Sequence, residues 1–285
     1  MNWSESISKA IDYIEQNLDK DISINDISKQ ACISPYYFQK GFTMLCGYTI
    51  GEYIRNRRLS VAAYELLNGD SKIIDIALKY GYDSPDSFTK AFTRFHGATP
   101  IAIRNKNATI KDFTPLKINL ILNGGNTINY RIEEKDSFKV IGLKRNIEYK
   151  NANTDVEKQW KSFLIKSTFS KIKPKYGINI DKNMENNSFE YIIGDDYITE
   201  EKYPKKFEII EIPKLTWAVF PCKGSASTSL RKINEKIFKE WLPNNTNYEI
   251  SDGYNIEMYS DPKKYKKGLE DANYYCEIWI PVTKK

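Results

Sequence analysis

The chain repeats itself after a shift of 50 residues: Ser34-Pro35-Tyr36-Tyr37-Phe38-Gln39-Lys40-Gly41-Phe42-Thr43 returns as Ser84-Pro85-Asp86-Ser87-Phe88-Thr89-Lys90-Ala91-Phe92-Thr93. The match continues without a gap into Gly47-Tyr48-Thr49 and Gly97-Ala98-Thr99. Self-similarity of this density requires two copies of one supersecondary unit. Ser34 and Ser84 read as N-caps, and Pro35 and Pro85 as first helical residues, where a missing N–H costs nothing. Phe38 and Phe42, like Phe88 and Phe92, lie four apart and share a face that must be buried. That turns Tyr36, Gln39, Lys40 and Thr43 outward in one copy, and Asp86, Ser87, Lys90 and Arg94 outward in the other.

A short helix-forming stretch precedes each copy, Ile24 to Ala31 and Ile73 to Tyr80, joined through Cys32-Ile33 or Gly81-Tyr82-Asp83. The pattern is therefore helix, tight turn, helix, twice. Gly81 suits the left-handed position after a helix end, and Cys32 takes that place in the first copy. Between the copies, Thr49-Ile50-Gly51-Glu52 forms a capping box that opens a helix from Ile50 to Leu67, stopped at Asn68-Gly69. A rod of that length, ~27 Å at 1.5 Å per residue, can hold two reading helices near one turn of duplex, ~34 Å apart. Double-stranded DNA is the partner such a pair fits.

Charge alone does not make that argument. The first 105 residues carry 12 Lys+Arg and 12 Asp+Glu, so the whole net charge of +6 falls after them. A local cluster still releases counterions when distant acids cancel it, and Arg55, Arg57, Arg58, Lys40, Lys90 and Arg94 are candidates for one. The four cysteines form no C-x-x-C pair and are expected as buried structural thiols. His96 is the single histidine, which disfavours His-rich metal sites and catalytic triads. No catalytic residue, metal or cofactor is assigned, and the chain is expected not to be an enzyme. No apolar run approaches the ~20 residues of a membrane span, and no leader pattern opens the chain, so a cytoplasmic protein without a membrane partner is expected.

Residues 5 to 104 resemble the AraC family of transcriptional regulators. The second unit carries the likeness most specifically: Ile74-Asp75-Ile76-Ala77, Gly81-Tyr82, Ser84, Phe88, Lys90, Phe92, Gly97-Ala98-Thr99-Pro100 and Arg104. The resemblance implies a promoter-binding pair of helix-turn-helix units, with RNA polymerase as a further partner. It places Tyr36, Gln39 and Lys40 near bases in the first unit, and Asp86, Ser87, Thr89 and Lys90 in the second. Arg55, Arg58 and Arg94 become phosphate anchors. Where that family often has arginine at the positions of Lys40 and Lys90, lysine lacks the planar fork, so a softer base preference is expected.

After Asn105 the pattern changes. Residues 106–127 read as a linker, with a short strand at Lys117 to Leu122. Residues 128–285 then alternate apolar and polar in strands at Phe138 to Lys144, Phe189 to Ile193, Phe207 to Ile212, Leu215 to Phe220, Tyr254 to Tyr259 and Tyr274 to Val282. Two amphipathic helices interrupt them, one marked by Val156, Trp160, Phe163 and Leu164, the other by Leu230, Ile233, Ile237, Phe238 and Trp241. The fold class is therefore multidomain: an all-α double helix-turn-helix domain over 1–105, then an α+β domain duplicated as strand, helix, strand, strand.

On the last strand Tyr275, Glu277 and Trp279 share one face; on the strand before it Asn255, Glu257 and Tyr259 do. Carboxylates flanked by rings could line one cavity for a bulky lipophilic cation. Residues 128 to 283 resemble the GyrI-like effector-binding domain through Phe138 to Gly142, the strand ending at Pro213, Glu240-Trp241-Leu242-Pro243, Glu257-Met258-Tyr259 and Glu277-Ile278-Trp279-Ile280-Pro281-Val282. The resemblance implies a ligand cavity in which Glu257 and Glu277 approach a cationic effector, with Tyr191, Trp217, Tyr275 and Trp279 as walls. Two alternatives stay open: a hydrolase using Glu257 or Glu277 as base, and a protein-interaction module.

Overall fold

The computed structural model describes residues 3–117, 127–167, 172–181 and 188–285. Packing divides the chain into two compact units. One comprises Ser4–Cys32 and Cys46–Ile121; the other comprises Met1–Trp3, Ile33–Leu45 and Leu122–Lys285. Two pieces read as part of the N-terminal domain, Trp3 and the segment 33–45, group with the sheet unit, and residues 106–117, read as linker, group with the helical unit.

Among the described residues, seven helices lie between Trp3 and Arg104: α1 (Trp3–Gln16), α2 (Ile24–Ala31), α3 (Pro35–Cys46), α4 (Ile50–Asn68), α5 (Ile73–Lys79), α6 (Pro85–His96) and α7 (Pro100–Arg104). Thr49 and Glu52 form the expected reciprocal capping box at the start of α4, and Gly69 ends it. The Ser84 side chain accepts from the Ser87 amide, with Pro85 in the first turn of α6. The core of the helical unit gathers Leu59, Ala62, Ala63 and Leu66 of α4 with Ile76 and Ala77 of α5, Phe88 and Phe92 of α6 and Ile103 of α7. The second repeat thus buries its phenylalanines as the four-residue spacing requires.

The other unit contains nine strands among the described residues: β1 (Arg131–Lys135), β2 (Phe138–Glu148), β3 (Tyr176–Ile180), β4 (Ser188–Asp196), β5 (Glu208–Ile212), β6 (Leu215–Lys223), β7 (Tyr248–Ile250), β8 (Tyr254–Tyr259) and β9 (Tyr275–Lys284). They pair antiparallel in the order β1-β6-β9-β8-β3-β4-β2-β5, with β7 added on β9. Helix α8 (Ala152–Ser167) follows β2, and α9 (Ala226–Lys236) follows β6 and runs into a π-turn over Ile237–Trp241. The order is palindromic about the β3–β8 pair, so β2-α8-β3-β4 repeats as β6-α9-β8-β9. Each leading strand crosses to the other half: β1 precedes β2 but pairs with β6, and β5 precedes β6 but pairs with β2. Sequence alternation locates β2, β4, β5, β6, β8 and β9. It misses β1 and β7, which are short, and β3, whose residues are buried throughout and show no alternation. The strand expected at Lys117 to Leu122 lies almost wholly outside the described residues.

Successive strand residues face opposite sides, and each side has its own core. On one side Ile141, Leu143, Ile147, Phe189, Tyr191 and Ile193 pack with Phe163 and Trp160 of α8. The segment after α9 covers the same side over β6, where Trp241 meets Phe220 edge-on at 5.0 Å. On the opposite side Val140, Tyr176, Ile178, Ile192, Trp217, Val219, Tyr254, Ile256 and Trp279 form a second core.

Candidate functional site

In the helical unit, α6 presents the polar surface that the repeat implies. Phe88 and Phe92 are fully buried, while Asp86, Ser87, Lys90 and Arg94 are exposed and Thr89 is half-buried. Arg55 on α4 is exposed as well. The other two arginines of the expected cluster are engaged inside the unit. Arg57 is buried and forms a two-pronged ion pair with Glu15, while its remaining arm reaches the carbonyl of Phe113. Arg58 donates from Nε to the Leu18 carbonyl at 2.8 Å and from its terminal nitrogen to the Lys20 carbonyl. Burial pulls the Arg58 guanidinium down from its ordinary range, against the nearby charges of Asp21 and Asp19. Arg57 and Arg58 therefore hold the helices together. His96 is structural too, its ring nitrogens meeting the Leu59 carbonyl and the Lys111 amide.

The first repeat is placed differently. Helix α3 packs on the α8–α9 side of the sheet, within the sheet unit. The Tyr36 amide donates to Asp181 Oδ2 at 2.7 Å, and the Tyr37 hydroxyl to the Tyr254 carbonyl at 2.5 Å. The Tyr36 hydroxyl donates to Asn255 Oδ1 at 3.2 Å; the Lys40 ammonium donates to the Tyr36 hydroxyl at 3.1 Å and lies 3.5 Å from the same Asn255 oxygen. Rings close both flanks: Tyr36 lies 5.9 Å from Phe189 of β4, and Tyr37 lies 6.4 Å from Phe238 after α9. A Cβ on Gly41 would stand 2.3 Å from the Trp3 ring and 3.0 Å from Phe238, so only glycine admits this approach. The outward exposure expected for Tyr36, Gln39 and Lys40 is corrected: all three are half-buried, and only Thr43 of that set is exposed.

The surface under α3 is the middle of the sheet. The β8–β3 and β3–β4 registers bring Glu257, Gly177, Asn179, Asn255 and Tyr191 to one face. Gly177 leaves room for the Tyr191 hydroxyl, which a Cβ there would meet at 2.7 Å. Trp160 of α8 donates to that hydroxyl at 3.1 Å, and Tyr259 donates to Glu257 Oε2 at 2.7 Å. Burial drives the phenols of Tyr36, Tyr191 and Tyr259 far up, and the Glu257 charge adds to each. Burial draws the Lys40 ammonium down, with Glu257 opposing it. Burial also raises the Asp181 carboxyl, against hydrogen bonds from Tyr149, Tyr36 and Ser34 that pull it down.

Glu277 lies on the opposite side. The β8–β9 register pairs Met258 with Glu277 and Glu257 with Ile278, and a one-residue offset in a strand reverses the face. The expectation that the two glutamates line one cavity is therefore corrected. Tyr191 accompanies Glu257, while Trp217, Tyr275 and Trp279 accompany Glu277, with Trp217 and Trp279 centroids 6.0 Å apart. Glu277 already has a cation: Arg131 donates to Oε1 at 2.9 Å, Tyr275 to Oε1 at 2.5 Å, and Trp279 to Oε2 at 2.7 Å. Burial alone would raise its carboxyl, but these donors outweigh burial and hold it below the usual carboxylate range.

Nothing in the sequence points to Arg131, Asp181 or Asn179; alternation places Asn255 on the face of Glu257 and Phe189 at a strand start without assigning either a part in the cleft. A readable signal for α3 existed: after the shared proline the first copy has Tyr36-Tyr37 where the second has Asp86-Ser87, an aromatic pair where a solvated helix needs none. The cysteines divide, with Cys222 and Cys276 buried opposite each other on β6 and β9, Cys46 half-buried and Cys32 exposed. Cys32 holds the left-handed turn at φ 52°. Among the described residues no group of three or more His, Cys, Asp or Glu is placed to hold a metal, and no helix is long and apolar enough to cross a membrane.

Two family models match the chain: an integron-associated effector binding protein over residues 131–282 and a helix-turn-helix domain over residues 27–106. The transcriptional activator AarP of Providencia stuartii is 37% identical over 114 residues, which cover 40% of this chain and 84% of AarP. The regulatory protein SoxS of Salmonella typhimurium is 35% identical over 106 residues, covering 37% of this chain and 99% of SoxS. An integron cassette protein from Vibrio cholerae, solved by crystallography, is 16% identical with a TM-score of 0.40, covering 54% of this chain and 95% of that one.

Proposed function

The chain belongs through residues 131–282 to the integron-associated effector-binding proteins and through its N-terminal module to the AraC-type helix-turn-helix regulators, and on that premise we propose that it is a DNA-binding transcription regulator answering to a small molecule. The observation that carries this reading is the α6 surface, polar and exposed over Asp86, Ser87, Lys90 and Arg94 while Phe88 and Phe92 anchor the helix from behind. A helix so held can enter a major groove, where lysine suits guanine and aspartate accepts from cytosine. Tyr36, Gln39 and Lys40 are the corresponding readers on α3. Arg55 and Arg94 supply phosphate contacts, which position without specifying sequence. The activator description of AarP makes RNA polymerase a partner in the same proposal.

For the effector, the proposal favours a bulky lipophilic cation, and the two carboxylates are not equivalent for it. Glu257 sits among the rings of Tyr191, Tyr259 and Tyr36, whereas Glu277 is already neutralised by Arg131. Glu257 and Tyr191 are therefore the first choice, and Glu277 with Tyr275, Trp217 and Trp279 is the reserve. We read the domain as a sensor rather than a hydrolase because the relatives of the DNA module are regulators.

The test is selection of bound sequences from random duplexes, followed by affinity measurements on the winner. Lys90→Ala should cost about 1–3 kcal/mol and relax preference at one position. Unchanged affinity and preference at moderate salt would remove α6 from the groove.

A further inference from the structure

The cleft proposed above for a cationic effector is occupied by α3, the helix proposed above as the first DNA reader. On the side of the sheet that carries α8 and α9, the helix sets Tyr36 against Phe189 of β4 and Tyr37 against Phe238 after α9. It delivers one cation, the Lys40 ammonium, which lies over the Tyr36 and Phe238 rings at 5.4 and 6.0 Å and feels Glu257. An aromatic group with a positive charge is the chemistry expected of the effector. The fit is incomplete, because the Asn179 amide, 2% exposed on the cleft floor, has no hydrogen-bond partner among the described residues, nor does the Asn255 nitrogen.

We infer that α3 is an internal competitor for the effector cleft: a lipophilic cation bound at Glu257 displaces Tyr36, Tyr37 and Lys40 and frees the first reading helix for DNA. This rests on the cation-sensor reading above and adds its regulation. Linkage requires only that the ligand bind the cleft with α3 out and not with α3 in. Its apparent affinity is then reduced by the fraction of molecules whose cleft is open. The docked state is held from the sheet side by Asp181, whose carboxylate caps the first turn of α3 through the Tyr36 amide, and by the close approach at Gly41. Neither Asp181 nor Gly41 is among the DNA-reading residues, so each can be changed without touching a reader; Asp181 also accepts from the Tyr149 hydroxyl within the sheet unit, a bond that Gly41 does not share.

The experiment uses the full chain with tetraphenylphosphonium as probe. Hydrogen exchange is followed over residues 36–42, and probe affinity is read from tryptophan quenching in wild type, Asp181→Ala, Gly41→Leu and Glu257→Gln. Saturating probe should speed exchange over 36–42 by about tenfold or more, and both docking variants should bind probe about tenfold more tightly, because fewer clefts are occupied. Glu257→Gln should bind about tenfold more weakly. Gly41→Leu serves as a second route should loss of the buried Asp181 carboxylate disturb the fold. Probe that binds while 36–42 exchanges at its unliganded rate overturns the displacement and leaves the sensor reading standing. Probe that binds neither wild type nor either docking variant sinks the sensor reading and the displacement together.

Discussion

Tyr36 and Asp181 lie 145 residues apart in sequence, and the amide of one donates to the carboxylate of the other at 2.7 Å. Through that bond the start of α3 is capped by a strand end of the sheet unit. A free N–H in the first turn of a helix would otherwise go to water or a local side chain. The contact therefore competes with any use of the same helix on DNA.

The Arg131–Glu277 pair is testable on its own. Arg131→Met leaves Glu277 inside the sheet with two neutral donors, and urea unfolding should show a loss of about 1–3 kcal/mol. Glu277→Gln should cost less in that background than in wild type. The sign with pH follows from the lowered Glu277 carboxyl. Its contribution is fully present above the unfolded value, about 4.3, and is lost as pH falls through the lower folded value. Arg131→Met should flatten that acid limb.

Phe88 and Phe92 are each completely buried in the helical core. Replacing either with alanine should destabilise that unit by about 3–5 kcal/mol, seen as a lower denaturation midpoint. DNA affinity at a temperature where the variant stays folded should change little.

Cys32 holds a left-handed turn at φ 52°, a conformation disfavoured for any residue with a Cβ. Cys32→Gly should gain about 0.5–1 kcal/mol in urea unfolding, and Cys32→Val should lose stability.

The arginines should separate by salt dependence. Arg55→Ala and Arg94→Ala should each weaken DNA binding across sequences and lower the salt slope by about one. Arg58→Ala should leave the slope unchanged and lower the melting temperature, since its guanidinium is committed to the Leu18 and Lys20 carbonyls.

Much of this architecture is legible before any coordinates. Ser84, Pro85, Phe88 and Phe92 suffice to place α6 and its exposed face, because capping and four-residue periodicity are local. Period-two alternation likewise assigns Glu257 and Glu277 to faces within their own strands. It cannot relate those faces to each other, since that needs the β8–β9 register, set by a turn and by packing rather than by either strand. Tyr36-Tyr37 is the other limit. The spacing turns Tyr36 away from the phenylalanine face, but periodicity does not tell solvent from a distant sheet. The aromatic pair, replaced by Asp86-Ser87 in the second copy, is the one local sign that α3 has a partner.

The most direct test of the account is a footprint on the selected duplex with wild type and with Asp181→Ala, without added ligand. Wild type should protect one major-groove segment and Asp181→Ala two, about one helical turn apart, with tighter binding. Two protected segments for wild type, or one for both proteins, would contradict the account.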